Sequence, residues 1–341
     1  MQSKLLIYMP VLTLLLALPA RAEEGRLMAV EENDTFTSDD DRHYTQGLRF
    51  SWLPGDVASD SPWNAPFSWL SDTTPIFDGA GLFKRQYDWT ALGQSIFTPT
   101  AIHTSVPQPN DRPYGAWLYT GASLLQQTKT TNYDQLENAE LLFGMVGPAA
   151  LGRLVQNDWH QFIGVQAAAG WNNQIHNEPG VVFSYERKWR FTQPLNDTFA
   201  VDAIPELGGT LGNIFTYGET SALFRIGHNL AADYGPSHIR PSLSGTGWFD
   251  KDRLDGNWGW YLFAGAQGRA VGRNIFLDGN TWEDSMSVDK KPLVADLIAG
   301  ASIFWSTHVR LDFSVIERTK EFYGQQGHDD RFGSIGLTVE F

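Results

Sequence analysis

Four polar stretches hold the residues whose types and spacing could do chemistry. Asn33-Asp34 closes one alternating segment of the chain, and Tyr44-Thr45 opens the next. Asn110-Asp111-Arg112 stands ahead of a third, and His160 lies within Ala149 to Phe162, a run that reads as a short helix. A histidine near carboxylate and amide oxygens is enough for hydrolysis by an activated water. The imidazole takes the proton, and a cation or N–H group holds the oxyanion. Aspartate, asparagine and threonine supply hard oxygen ligands that suit Ca²⁺. Plainer roles stand beside these. Asn-Asp pairs form turns, a helical histidine on a surface is solvated, and the acidic run Asp39 to Asp41 reads as loop. Residue type alone leaves both readings open. Other hydrolytic signatures are missing: the sequence has no G-x-S-x-G elbow, no H-E-x-x-H pair, no phosphate-binding Gly-Lys loop and no EF-hand.

Period-two segments must position these residues. At the end of the chain Ile335, Leu337, Val339 and Phe341 alternate with Ser334, Gly336, Thr338 and Glu340. Val181, Phe183, Tyr185, Trp189 and Phe191 alternate with Ser184, Glu186, Lys188 and Arg190. Val309, Leu311, Phe313 and Val315 do the same with Arg310, Asp312 and Ser314. The alternation predicts twelve strands, at 26–33, 44–53, 87–97, 113–126, 134–146, 180–192, 198–207, 214–228, 257–272, 291–305, 308–319 and 331–341. Segment 239–249 has a weaker pattern and is assigned to the connection 229–256, because single-chain bacterial barrels have even strand numbers. The fold class expected is all-β: a twelve-stranded antiparallel transmembrane β-barrel with a short helix in an extracellular loop. With both termini periplasmic, the outer loops are 34–43, 98–112, 147–179, 208–213, 273–290 and 320–330. All four polar stretches then meet at one rim.

Composition agrees with strands in lipid. Of 341 residues, 42% are hydrophobic and 13% aromatic, whereas only 19% are charged, below the quarter or so usual for soluble domains. Mean hydropathy is −0.28, and beyond residue 22 no apolar run approaches the roughly 18 residues of a spanning helix. Only helices and closed barrels satisfy the backbone in hydrocarbon. The net charge of −14 argues against nucleic acid as a partner. The lack of cysteine excludes disulfides and thiolate chemistry. Lys4, the apolar run Leu5 to Leu18 and Ala20-Arg21-Ala22 form a secretory signal peptide over residues 1–22. Residues 23–341 are expected to be one outer-membrane barrel and to act as a monomer.

The rim motifs resemble one family. Glu32-Asn33-Asp34-Thr35-Phe36 with Asp41-Arg42-His43-Tyr44-Thr45-Gln46-Gly47-Leu48 is similar to the opening of the outer-membrane lipid A 3′-O-deacylases. Asn110 to Gly115, Gly147-Pro148 through Gln156 to His160 with Gly170-Trp171, and Leu211 to Tyr217 agree in the same order. The resemblance implies a calcium-dependent esterase that removes the 3′-linked acyloxyacyl chain from lipid A of the outer leaflet. It implies His160 as the base that activates water, with Asn33, Asp34 and Thr45 in the catalytic cluster. Asp34 and Thr45 would organise the cation. The family pattern has a glutamate six residues beyond the histidine, and here that position is Gln166. A Gln carbonyl oxygen can ligate Ca²⁺ without formal charge, which lowers affinity, and Glu178 is a second acid that could compensate. The alternatives are a phospholipase-type outer-membrane esterase and a non-enzymatic porin or structural barrel. Loop 147–179, long enough to cover a lumen, disfavours an open pore.

Overall fold

The computed structural model describes residues 25–37, 42–77, 82–241, 246–305 and 309–341. The leader expected at 1–22 and the acidic run Asp39 to Asp41 lie outside them. Twelve antiparallel strands form a closed barrel. They are β1 (Gly25–Asn33), β2 (His43–Pro54), β3 (Leu82–Thr98), β4 (Gly115–Lys129), β5 (Asp134–Val146) and β6 (Glu178–Pro194), followed by β7 (Ala200–Gly212), β8 (Phe215–His228), β9 (Trp258–Asn274), β10 (Leu293–Trp305), β11 (Val309–Arg318) and β12 (Asp330–Glu340). β1 closes on β12 with Arg26 opposite Glu340 and Asn33 opposite Gly333. Every predicted strand is present, and segment 239–249 contributes none among its described residues.

The faces follow the period-two pattern, with polarity opposite to that of a soluble barrel. Outward Leu211 and Leu297 are 66% and 61% exposed, while inward Glu186 and Arg190 are at 0% and 1%. Exposed apolar rows around a polar interior are what hydrocarbon requires. At the periplasmic end Trp52, Phe191, Phe199, Trp258 and Trp305 lie exposed in an aromatic girdle. No helix among the described residues is long and apolar enough to cross a membrane.

The lumen is filled. The connection between β8 and β9 turns back into the barrel and buries Tyr234, Ile239 and Trp248. Inward charges hold it from several strands. Arg240 donates to Glu140 through Nε at 2.6 Å and pairs with Glu186. Glu32 accepts the Ile239 N–H at 3.0 Å. Arg190 donates to the Asp233 carbonyl at 2.6 Å, and Arg269 to that of Pro241 at 2.8 Å. Removing one partner of such a buried pair costs about 3–5 kcal/mol, because the other charge stays buried. Arg240→Ala is therefore expected to lower the stability of the folded barrel by that amount, read as a lower heat or urea midpoint by gel mobility. An unchanged midpoint would show that the plug does not depend on Arg240.

Two segments pack on the outside of the same wall. The periplasmic connection 55–77 carries helix α1 (Ala65–Thr73) and roofs a polar outward row. Glu137 there is fully buried and accepts the Phe77 N–H at 2.9 Å, the Tyr185 hydroxyl at 2.6 Å and Arg187 at 2.8 Å. Arg85 donates to Asn64 at 2.9 Å. Facing lipid, each such charge would cost about 2–4 kcal/mol at mid-depth, so the roof is what this row needs. The second segment is loop 147–179, with a 3₁₀ turn at Pro148–Ala150 and helix α2 (Gly152–Ile163). It covers the outer ends of β3 and β4. Its own Trp171 is buried against Ile96, Ala116 and Tyr114 in one apolar cluster.

Candidate active site

Local turns place Asn33 and Asp34 at the outer rim. β1 ends in a single 3₁₀ turn, Asp34–Phe36, capped by Asn33. The Asn33 Oδ1 accepts from the Thr35 N–H at 2.9 Å and from its hydroxyl at 2.6 Å. With two bonds already accepted, this oxygen shapes the turn rather than reaching for a ligand. The turn lies on β12, where a Cβ at Gly333 would come within 2.7 Å of the Phe36 Cβ. Asp34 is buried, and its Oδ2 accepts the Arg42 N–H at 2.9 Å. That bond ties the turn to the start of β2.

Thr45 is the extra residue of a β-bulge. Tyr44 pairs with Phe97 and Gln46 with Ile96, so Thr45 has no opposite partner. A bulge re-aims a side chain. Here the Thr45 hydroxyl is buried and 2.7 Å from that of Thr98.

His160 comes from the neighbouring wall. α2 turns Gly152, Gln156 and His160 toward the barrel, at the spacing of one helical face. A Cβ at Gly152 would sit 2.6 Å from both the Ala116 Cβ and the Trp171 ring, so the glycine allows the close approach. Gln156 accepts from the Trp171 indole at 2.8 Å and anchors the next turn. His160 is 4% exposed, a correction to the solvated surface histidine its helical setting suggested. Its Nδ1 lies 2.8 Å from the Gln166 main-chain oxygen. A carbonyl only accepts, so Nδ1 carries the proton and Nε2 is the basic nitrogen. Gln166 thus serves His160 through its backbone, and its side chain is exposed.

Glu178, the second acid considered for the cation, is committed elsewhere. It accepts from Thr281 through the N–H at 2.7 Å and the hydroxyl at 2.6 Å. Asn213 and Asn280 donate to it as well, at 2.8 and 3.2 Å. It locks β6 to the loops after β7 and β9.

A buried histidine that pattern reading passed over braces the rim beside Asp34. His43 is fully buried at a φ of 62°. It sits between Asp330, 2.7 Å from Nδ1, and Asp111, 3.4 Å from Nε2. Asp111 also accepts the Thr100 N–H at 2.8 Å. Burial opposes ionisation of Asp111, but the bonds from His43 and Thr100 outweigh it and hold the carboxyl well below the usual carboxylate range. Beside this clamp Arg112 donates to Glu321 at 2.5 Å. Three outer loops are joined here. The signal in the sequence was Asp111 itself, whereas the histidine it meets lies 68 residues earlier and the histidine's other partner, Asp330, near the end of the chain.

Asp34 offers a buried carboxylate, and the paired Thr45 and Thr98 hydroxyls offer neutral oxygens, donor types that fit a hard cation such as Ca²⁺.

The whole chain compares with known proteins as follows. The family model described as outer membrane protein LpxR matches residues 7–341. Among solved structures, LpxR from Salmonella typhimurium aligns with a TM-score of 0.69 at 21% identity, over 93% of this chain and 100% of that one. The β-domain of the Bordetella autotransporter BrkA aligns at 0.47 and 9%, over 94% and 100%. No curated protein sequence matches the chain. The family match spans nearly the whole length, on a closed outer-membrane barrel. The chain belongs to the outer membrane protein LpxR family, the lipid A deacylases that its rim motifs resemble.

Proposed function

We propose that this barrel is a calcium-dependent esterase that hydrolyses the 3′-linked acyloxyacyl chain of lipid A in the outer leaflet. The observation that carries the reading is the position of His160. It lies on the outside of the wall, between β3–β4 and a helix whose other face is apolar. Leu154, Trp159, Phe162 and Ile163 are exposed on α2 and continue the lipid-facing rows of the barrel. A base placed there meets a substrate that arrives laterally from the membrane. The filled lumen argues against a porin.

In the reaction, His160 Nε2 takes a proton from water as the water oxygen attacks the ester carbonyl. The Nδ1–H bond to Gln166 orients the ring and spreads the positive charge that develops. When the tetrahedral intermediate collapses, the imidazolium returns the proton to the departing sugar hydroxyl, and the fatty acid leaves. Calcium, when bound, supplies polarisation of the carbonyl and charge to hold the oxyanion. Asp34 and Thr45 would hold it, with Thr98 beside Thr45. Asn33 would keep the Asp34 turn in shape.

The test is a mass spectrum of lipid A from a Gram-negative host expressing the protein, with and without chelator. Loss of one acyloxyacyl group, blocked by chelation, is the expected result. Unchanged lipid A with fatty acid released from glycerophospholipid would make it a phospholipase. Ion conductance without hydrolysis would make it a pore.

A further inference from the structure

The periplasmic lip holds a second lipid-facing construction, remote from His160. Between the strap 55–77 and the end of the lumen plug lies a cavity of about 890 Å³, within the range of small-ligand sites. One wall is an aromatic shelf at the level of the girdle. Tyr87 and Trp89 stack with centroids 5.5 Å apart, and Trp63 meets both edge-on at 5.7 and 6.4 Å. Trp52 completes the wall from β2.

The shelf is held rigidly. The Tyr87 hydroxyl donates to the Trp63 carbonyl at 2.7 Å, and Asn64 donates to the Ala58 carbonyl at 2.8 Å. Trp63 nonetheless leaves 58% of its surface uncovered. Aromatic rings at this depth meet the glycerol and first methylenes of a lipid. The opposite wall carries charges of both signs. Lys251, with its side chain 40% exposed, lies 3.9 Å from Glu340. Asp56 and Asp252 share Lys84, at 3.5 and 2.7 Å.

We propose that this lip binds a glycerophospholipid of the inner leaflet with a zwitterionic, ethanolamine-type headgroup. The shelf takes the glycerol and upper acyl chains, and Lys251 takes the phosphate. The ammonium turns to the carboxylates of Asp56, Asp252 and Glu340. Of the charged side chains that line the cavity, Arg26 and Lys251 are cations and Asp56, Asp252 and Glu340 are carboxylates. The excess of acid disfavours an anionic headgroup. The site is independent of the rim chemistry and does not rest on the esterase reading.

The test is native mass spectrometry of the full mature barrel in mild detergent. Phosphatidylethanolamine, phosphatidylglycerol or water-soluble glycerophosphoethanolamine is added in turn. One phosphatidylethanolamine is expected to be retained, with phosphatidylglycerol about tenfold weaker and glycerophosphoethanolamine lost. Trp63→Ala removes a half-exposed ring at the lip and keeps the main-chain carbonyl that Tyr87 bonds, and Lys251→Glu inverts one surface charge, so both barrels should fold. Each is expected to weaken retention about tenfold. Equal retention of the two lipids, retention of the headgroup alone, or wild-type retention by both variants would overturn the proposal.

Discussion

Replacing His160 by asparagine is expected to lower lipid A deacylation about 10²- to 10⁴-fold, the range for a general base, while the barrel remains folded. Asparagine is the sharper substitution because the side chain is buried against the wall rather than solvated. Its amide N–H can still donate to the Gln166 carbonyl, the bond that His160 Nδ1 makes at 2.8 Å. What it lacks is a nitrogen that takes a proton near neutral pH. His160→Ala should lose the same activity and also loosen the turn after α2. Turnover by both variants is read from the ratio of deacylated to intact lipid A, with gel mobility reporting the folded barrel. An asparagine variant that retained full activity would move the base elsewhere. If the alanine variant alone were inactive, the histidine would be a support for α2.

The strands were legible in the sequence because hydrocarbon outside and a polar lumen inside force strict alternation. Ser184, Glu186, Lys188 and Arg190 all point inward as their spacing requires. The departures from the pattern carried information that alternation alone could not decode. Arg187 falls on the outward row between Tyr185 and Trp189, where lipid would be costly. The roof over it, 55–77, comes from more than a hundred residues earlier in the chain. Gathering the polar stretches at one rim followed from strand parity. Their final geometry did not, since it depends on local irregularities. A bulge turns Thr45 toward Thr98, Gly152 lets α2 lie against the wall, and a left-handed His43 bridges Asp111 and Asp330. Each depends on a partner distant in sequence. The bond from His160 to the Gln166 carbonyl is local, but residue type does not report a main-chain contact.

The cation side of the site yields the second large effect. Asp34 is the one carboxylate among the residues proposed to hold the cation, and the turn that carries it is fixed by Asn33 and by the Arg42 N–H. Asp34→Ala removes the only formal negative charge of that donor set. Activity is expected to fall at least about 100-fold at any calcium concentration. Asp34→Asn keeps an oxygen without its charge, so part of the activity should return at millimolar calcium. Gln166→Ala keeps the backbone carbonyl that orients His160 and changes only an exposed side chain. It should stay within about threefold of wild type, because exposed substitutions away from such contacts are small in effect. The measurement is deacylation rate against free calcium for the three variants, with chelator as the zero point. If Gln166→Ala shifted the calcium midpoint as far as Asp34→Asn does, the amide oxygen would belong among the ligands. If Asp34→Ala kept its calcium response, the cation would be held by other groups, and the Asp34 turn would be structural.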